Sequence, residues 1–146
     1  MSFLKWSKWV SLHKIYVTKN AALTPPVKPG VYKIKCVKNG EDVLIQRAND
    51  IADEILYIGE TKGTLKERIS DFWKAANENS NDIKTTHSAG NTYVLFNFKL
   101  KFPLKCLKVK WAITNNSKAV EKKMLNKYKQ KTFDLPPFNI KLERLW

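Results

Sequence analysis

One stretch limits what this chain can become: Ile55-Leu56-Tyr57-Ile58-Gly59-Glu60-Thr61-Lys62-Gly63-Thr64-Leu65-Lys66-Glu67-Arg68. It opens on an unbroken apolar run, β-branched or aromatic in part, that ends at Gly59. A short run of this kind closed by glycine reads as a strand buried on both faces. Thr64 and Glu67 then form a T-x-x-E capping box, which starts a helix by satisfying orphan backbone donors in both directions. Leu65, Ile69, Phe72, Trp73 and Ala76 recur at helical spacing and fill one arc of a wheel drawn at about 100° per residue. Arg68 falls on the edge of that arc. A buried strand therefore runs through a glycine corner into a helix whose first turn holds an arginine beside the core. There the guanidinium must meet an anion or reach a cleft, because a desolvated, unpaired charge is costly.

The rest of the chain supplies one domain around this unit. Its 146 residues can bury an ordinary core, and 43% apolar residues exclude a disordered chain. No apolar run approaches the roughly 18 residues of a membrane span, and the N-terminus lacks a signal-peptide core. Cys36 and Cys106 sit in strand-like apolar alternation, where a cysteine usually serves as a small core residue. The expectation is a cytoplasmic protein with no membrane association.

Residues 1–28 read as an N-terminal helical extension and connector. Trp6, Trp9 and His13 share one helical face, with Leu12 and Ile15 close by. The two tryptophans anchor this helix on the domain or, between lysines, line a nucleic-acid groove. Pro25-Pro26 and Pro29-Gly30 make the following connector extended. The domain proper occupies residues 29–146. Residues 30–37 form a strand with Tyr32, Ile34 and Cys36 on one face and Lys33 and Lys35 on the other. Asn39-Gly40 is a hairpin signal, returning as a strand over residues 43–46, and residues 50–54 form a short acidic turn. The helix over 65–77 ends in a polar loop at 77–82. Residues 93–98 are strand or helix. Leu107, Val109, Trp111 and Ile113 alternate with Lys108, Lys110 and Ala112, which gives a half-exposed strand with a basic face. Asn115-Asn116-Ser117 caps a helix running to about residue 132, and Pro136-Pro137 stops it ahead of a tail over 140–146. The order predicts an α/β (α+β) domain, a small mixed β-sheet flanked by helices.

Charge points to a partner. The net charge is +14, which favours a polyanion. The 27 basic residues include only three arginines, Arg47, Arg68 and Arg144. Lysine acts as a point charge on phosphates, whereas arginine supplies bidentate base contacts. The balance implies a grip on the nucleic-acid backbone with little base reading by arginine. The alternative is a lysine-rich surface reflecting an AT-rich genome.

The last helix carries an independent signal. Val120, Met124, Leu125 and Tyr128 form its apolar arc, and Glu121 falls in the middle of that arc, while Lys118, Lys122, Lys123, Lys127 and Lys129 take the other side. A glutamate is almost never fully buried unless paired or bound to metal. Glu121 is therefore the ion-pair partner of Arg68 or a lysine, or a single carboxylate ligand for Mg²⁺ or Mn²⁺.

Taken together, Gly30-Val31-Tyr32, Tyr57-Ile58-Gly59, Arg68 in the first turn of the next helix, Glu121 late in the domain and Asn139 after a proline turn resemble the GIY-YIG endonuclease superfamily. The resemblance spans about residues 29–139. It extends to an H-S-x-G segment, His87-Ser88-Ala89-Gly90, placed ahead of the third strand. Two departures mark it. The interval from Tyr32 to Tyr57 is long, and Asp71-Phe72-Trp73 stands where many relatives carry a histidine, so that role passes to His87.

The resemblance implies a GIY-YIG nuclease-like fold and a Mg²⁺- or Mn²⁺-dependent endonuclease acting on DNA. Its catalytic residues would be Tyr32, Tyr57, Arg68, His87 and Glu121, with Glu121 as the metal ligand. Arg68 would clamp a phosphoryl oxygen. One of the two tyrosines would be the general base, its pKa of about 10 lowered by arginine and metal, and His87 would bond a tyrosine hydroxyl or shuttle its proton. Lys62, Lys66, Lys108, Lys110 and Asn139 would contact nucleic acid. A protein partner supplying target recognition fits a bare catalytic domain. The competing readings are a non-catalytic basic nucleic-acid-binding domain on a degenerated nuclease scaffold, and a ribonuclease.

Overall fold

The computed structural model describes residues 4–77 and 87–140. The predicted polar loop beyond residue 77 and the tail beyond residue 140 lie outside the described residues. Within them an antiparallel sheet is flanked by four α-helices, an α+β arrangement.

The chain begins with strand β1 (Val10–Ser11) and helix α1 (Leu12–Tyr16). It continues through β2 (Gly30–Lys38), β3 (Glu41–Asp42), β4 (Ile45–Gln46), β5 (Ala52–Asp53) and β6 (Ile55–Thr61). Helices α2 (Leu65–Ala76) and α3 (Ser88–Leu95) follow. Strand β7 (Leu107–Ile113) and helix α4 (Ser117–Thr132) complete the order. β2 lies at the centre, between β6 and β7, and β1 adds to the far side of β7. The sheet expected to be mixed is antiparallel in every pairing among the described residues.

The opening stretch folds as its chemistry dictates. Leu56, Tyr57, Ile58 and Gly59 are all buried. Thr64 caps α2, its side-chain oxygen accepting from the Glu67 amide at 3.1 Å. The proline connector closes the same helix end, because Lys28 O accepts from the Leu65 amide (2.8 Å) and Pro26 O from the Lys66 amide (3.1 Å). The first-turn donors that a helix leaves orphaned are thus used up inside the fold. Leu65, Ile69, Phe72 and Ala76 of α2 join Ile34, Leu107, Val109, Tyr93 and Phe138 in the core.

Three sequence expectations change. The N-terminal extension is mostly extended: Trp6 bridges Ala112 and Val10 pairs with Val109, and among the described residues Leu12–Tyr16 is its one α-helix, with a 3₁₀ turn at Ala21–Leu23. A short helix there is marginal in water, whereas the edge of β7 offers unpaired backbone partners. Trp6 and Trp9 are consequently half-buried on the sheet's outer face, not core anchors. The Asn39-Gly40 turn forms, both residues with positive φ, 52° and 78°. Its return strand pairs only at Glu41 and Asp42, since β6 occupies the same edge of β2 over Gly30–Lys35, and Ile45–Gln46 turns away to pair with Ala52–Asp53. Residues 93–98 resolve as the end of α3 and a turn. At α4 the N-cap residue Asn116 makes no side-chain capping bond.

Candidate active site

A cleft of about 510 Å³ runs beside β6, between α2 on one side and α4 on the other. Tyr57, Arg68 and Glu121 all line it, brought from β6, α2 and α4. Asn139 lines it too, but its amide is engaged: its oxygen accepts from the Ile58 amide (3.0 Å) and its nitrogen donates to Ile58 O (2.8 Å). Asn139 thereby stands in for a neighbouring strand on the edge of β6, satisfying backbone groups that would otherwise be open.

Behind Tyr57 lies a buried polar relay. Tyr32 is fully buried, and its hydroxyl sits 2.7 Å from His87 Nε2. His87, also fully buried, caps α3 by accepting the Gly90 amide on Nδ1 (3.4 Å). A ring nitrogen that accepts carries no proton, so Nε2 holds the hydrogen and donates to Tyr32. Tyr32 is then left to direct its own proton toward the neighbouring Tyr57, whose ring centroid lies 5.7 Å away. The proton order runs from His87 through Tyr32 to Tyr57 and the cleft. Tyr32 and His87 therefore stand behind the cleft, which only Tyr57 of the three lines.

Gly59 makes this packing possible. A Cβ there would strike the Tyr57 ring and stand 2.8 Å from Tyr32 Cζ. The glycine that ends the apolar run is fixed by the two tyrosine rings across it.

Each group carries a shift with a cause. Burial, then the Glu121 carboxylate, pushes the Tyr57 hydroxyl up to about 12, while Arg68 pulls it down. Burial, followed by the neighbouring Tyr57, holds Tyr32 well above the usual tyrosine range. Burial and the Arg68 guanidinium push His87 down to about 3, so its ring is neutral. Arg68 is half-buried on the cleft wall with Asp71 at 4.0 Å. It has both the anion and the cleft that its position demanded.

Glu121 is half-buried and opens into the cleft, so the arc it interrupts is only partly covered. A second carboxylate lines the same cleft: Glu60, whose Oε2 accepts from Ser117 Oγ at 2.7 Å. Sequence reasoning passed over Glu60, because a glutamate directly after a buried strand reads as an ordinary solvated charge. Lys118, Lys122 and Lys129 of α4 also line the cleft and were assigned only to a solvated face. Of the expected nucleic-acid contacts, Lys62 and Lys66 are exposed away from the cleft lining, and Lys108 and Lys110 belong to the sheet's outer face.

No group of three or more His, Cys, Asp or Glu side chains converges among the described residues. Mg²⁺ does not require one, since it keeps several waters and takes one or two carboxylates. The hard oxygens of Glu121 and Glu60 fit such an ion. Comparison with family models, curated proteins and solved structures returned no match.

Proposed function

We propose that this cleft is the active site of a divalent-metal-dependent endonuclease of the GIY-YIG type, hydrolysing phosphodiester bonds in DNA. The convergence of Tyr57, Arg68 and Glu121 on one cleft, from three separate elements, carries the reading. Phosphodiester hydrolysis needs a positioned water, an acceptor for its proton and cations on the phosphoryl oxygens. The cleft contains a candidate for each.

Glu121, with Glu60 beside it in the lining, would hold Mg²⁺ or Mn²⁺. When bound, that ion would neutralise phosphoryl charge and stabilise the departing oxyanion. Arg68 binds a non-bridging phosphoryl oxygen through its planar fork. Tyr57, the tyrosine that reaches the cleft, takes the proton of the attacking water in its ionised form. Tyr32 donates to that phenolate, and His87 fixes Tyr32 by donating to it in turn. Arg68 favours the phenolate and Glu121 opposes it, so occupation of the carboxylate by a cation removes the main charge that holds Tyr57 neutral. Lys118, Lys122 and Lys129 lead the phosphate backbone to the cleft by charge.

Supercoiled plasmid incubated with Mg²⁺ or with EDTA tests the reading. Nicking with Mg²⁺ alone supports it. Nucleic-acid binding without nicking under either condition would reduce the chain to a binding domain, and cleavage of RNA alone would make it a ribonuclease.

A further inference from the structure

A second groove, about 560 Å³, lies on the outer face of the sheet, and α4 separates it from the catalytic cleft. Its floor is a like-charge pair. Lys33 of β2 and Lys110 of β7 are in direct register, and Lys35 and Lys108 face each other in the next same-face pair. Like charges directly opposite across a ladder are destabilising, so a sheet built only for stability would not place them there. Asp42 bonds Lys35 at 2.8 Å, and Glu54 is the carboxylate felt by both Lys33 and Lys110. Burial holds both of these lysines below the ordinary lysine range, with a neighbouring lysine adding to the effect in each case.

Two indoles border this floor. Lys33 and Lys110 each stand 5.0 Å from the Trp6 ring, and Lys35 and Lys110 stand 4.5 and 5.0 Å from Trp9. The opposite wall is α4, which offers Lys127 and Lys131 together with Met124 and Tyr128. Aromatic faces interleaved with a basic floor suit a strand whose bases are unpaired. A duplex keeps its base faces inside the stack and offers such indoles none to pack against. The cation–π contacts are exchangeable: an ammonium that moves to a phosphate leaves its indole face open to a base.

We propose that this groove binds single-stranded nucleic acid, its phosphates on Lys33, Lys110 and Lys127 and its bases against Trp6 and Trp9. The catalytic reading above provides the setting, since the groove and the cleft lie on two sides of one helix, α4. A substrate with an unpaired segment, such as a branch or flap, is the class that uses both sites. Binding itself does not depend on hydrolysis.

The test is fluorescence anisotropy in EDTA with an oligothymidylate of about 12 nucleotides, a duplex of equal length and an oligouridylate. The expected result is tighter binding of the single strand than of the duplex, with tryptophan emission changing on binding. In the Lys33→Gln/Lys127→Gln variant the ratio of single-strand to duplex affinity should fall by about tenfold. Lys33→Gln removes cross-strand repulsion and Lys127 is exposed, so this variant should melt no lower than wild type and a loss cannot be blamed on unfolding. Trp9→Leu should lower the same ratio. An oligouridylate bound as tightly supports the groove and shows that the sugar is not read. Equal affinity for single strand and duplex, or an unchanged ratio in both variants, overturns it. Plasmid nicking with no single-strand preference defeats this inference alone, and single-strand preference with no nicking defeats the catalytic reading alone.

Discussion

The Tyr32 hydroxyl lies 2.7 Å from Nε2 of His87, and both side chains are fully buried. This contact ties the centre of the sheet to the N-cap of α3 and turns the Tyr32 proton toward Tyr57. The companion bond, in which Nδ1 accepts the Gly90 amide, requires a neutral ring. An unfolded chain protonates its histidine near 6.5, whereas this one does so only at about 3. The stabilisation is therefore complete above pH 6.5 and is lost as pH falls toward 3, by about 1.4 kcal/mol per pH unit. Denaturant melts of wild type and His87→Gln over that window should differ in slope by roughly this amount. Parallel pH profiles would mean that the ring is not held neutral.

Cleavage should rise with pH. Tyr57 must lose its proton to act as base, and its hydroxyl is pushed up to about 12. The ionised fraction then grows through the neutral and alkaline range, and log rate at saturating Mg²⁺ should climb with a slope near one until metal and Arg68 bring the group to its midpoint. Tyr57→Phe should abolish the climb together with the activity. A flat profile in the wild type would remove Tyr57 from the role.

Arg68→Ala should reduce cleavage by about 10²- to 10³-fold, the usual loss for one electrostatic donor to a transition state. The pair with Asp71 is long and partly exposed, so the melting free energy should move by less than about 1 kcal/mol. A mutant that unfolds, or one that cuts normally, would show that the guanidinium serves the fold and not the phosphate.

Glu121→Gln separates metal binding from packing. The neutral amide keeps the shape of a half-buried side chain and removes the charge that raises Tyr57. In EDTA the variant should melt at the wild-type temperature or above, and Mg²⁺ should no longer stabilise it or support nicking. Thermal melts with and without the ion read this directly. A large drop in EDTA would identify the carboxylate as the structural partner of a cation, whose loss typically costs about 3–5 kcal/mol.

Gly59→Ala should be poorly tolerated although only a methyl is added. The new carbon meets both tyrosine rings, and overpacking of this kind costs about 1–3 kcal/mol. Activity should fall further than stability, because relief of the clash must move Tyr57 or Tyr32. Full activity in a normally stable variant would contradict the packing described here.

What could be read from the sequence was local. Ile55 to Arg68 declares a buried strand, a cap and an arginine at the edge of a stripe, each set by neighbours within a few residues. Glu121 stood out because its own helix segregates charge so cleanly. Long-range choices were not legible. The spacing of Trp6 and Trp9 fits one helical face, yet pairing with β7 decided the outcome. Glu60 acquires meaning only when Ser117 and α4 arrive beside it. Counting lysines gives the sign of the field but not its position, and Lys110 accordingly lies across α4 from the cleft that holds Arg68 and Glu121.

The Asn139 clamp on Ile58 has a consequence for the order in which the cleft is completed during synthesis. Tyr57, Arg68, Ser88 and the face of α4 are all made before Leu135, Phe138 and Asn139, which close the same cleft. Until those residues emerge, the edge of β6 lacks its bonded amide and the cleft lacks a wall. A nascent chain thus holds the proposed catalytic groups without the frame that sets them, and that frame is complete only when the last wall of the cleft has been made.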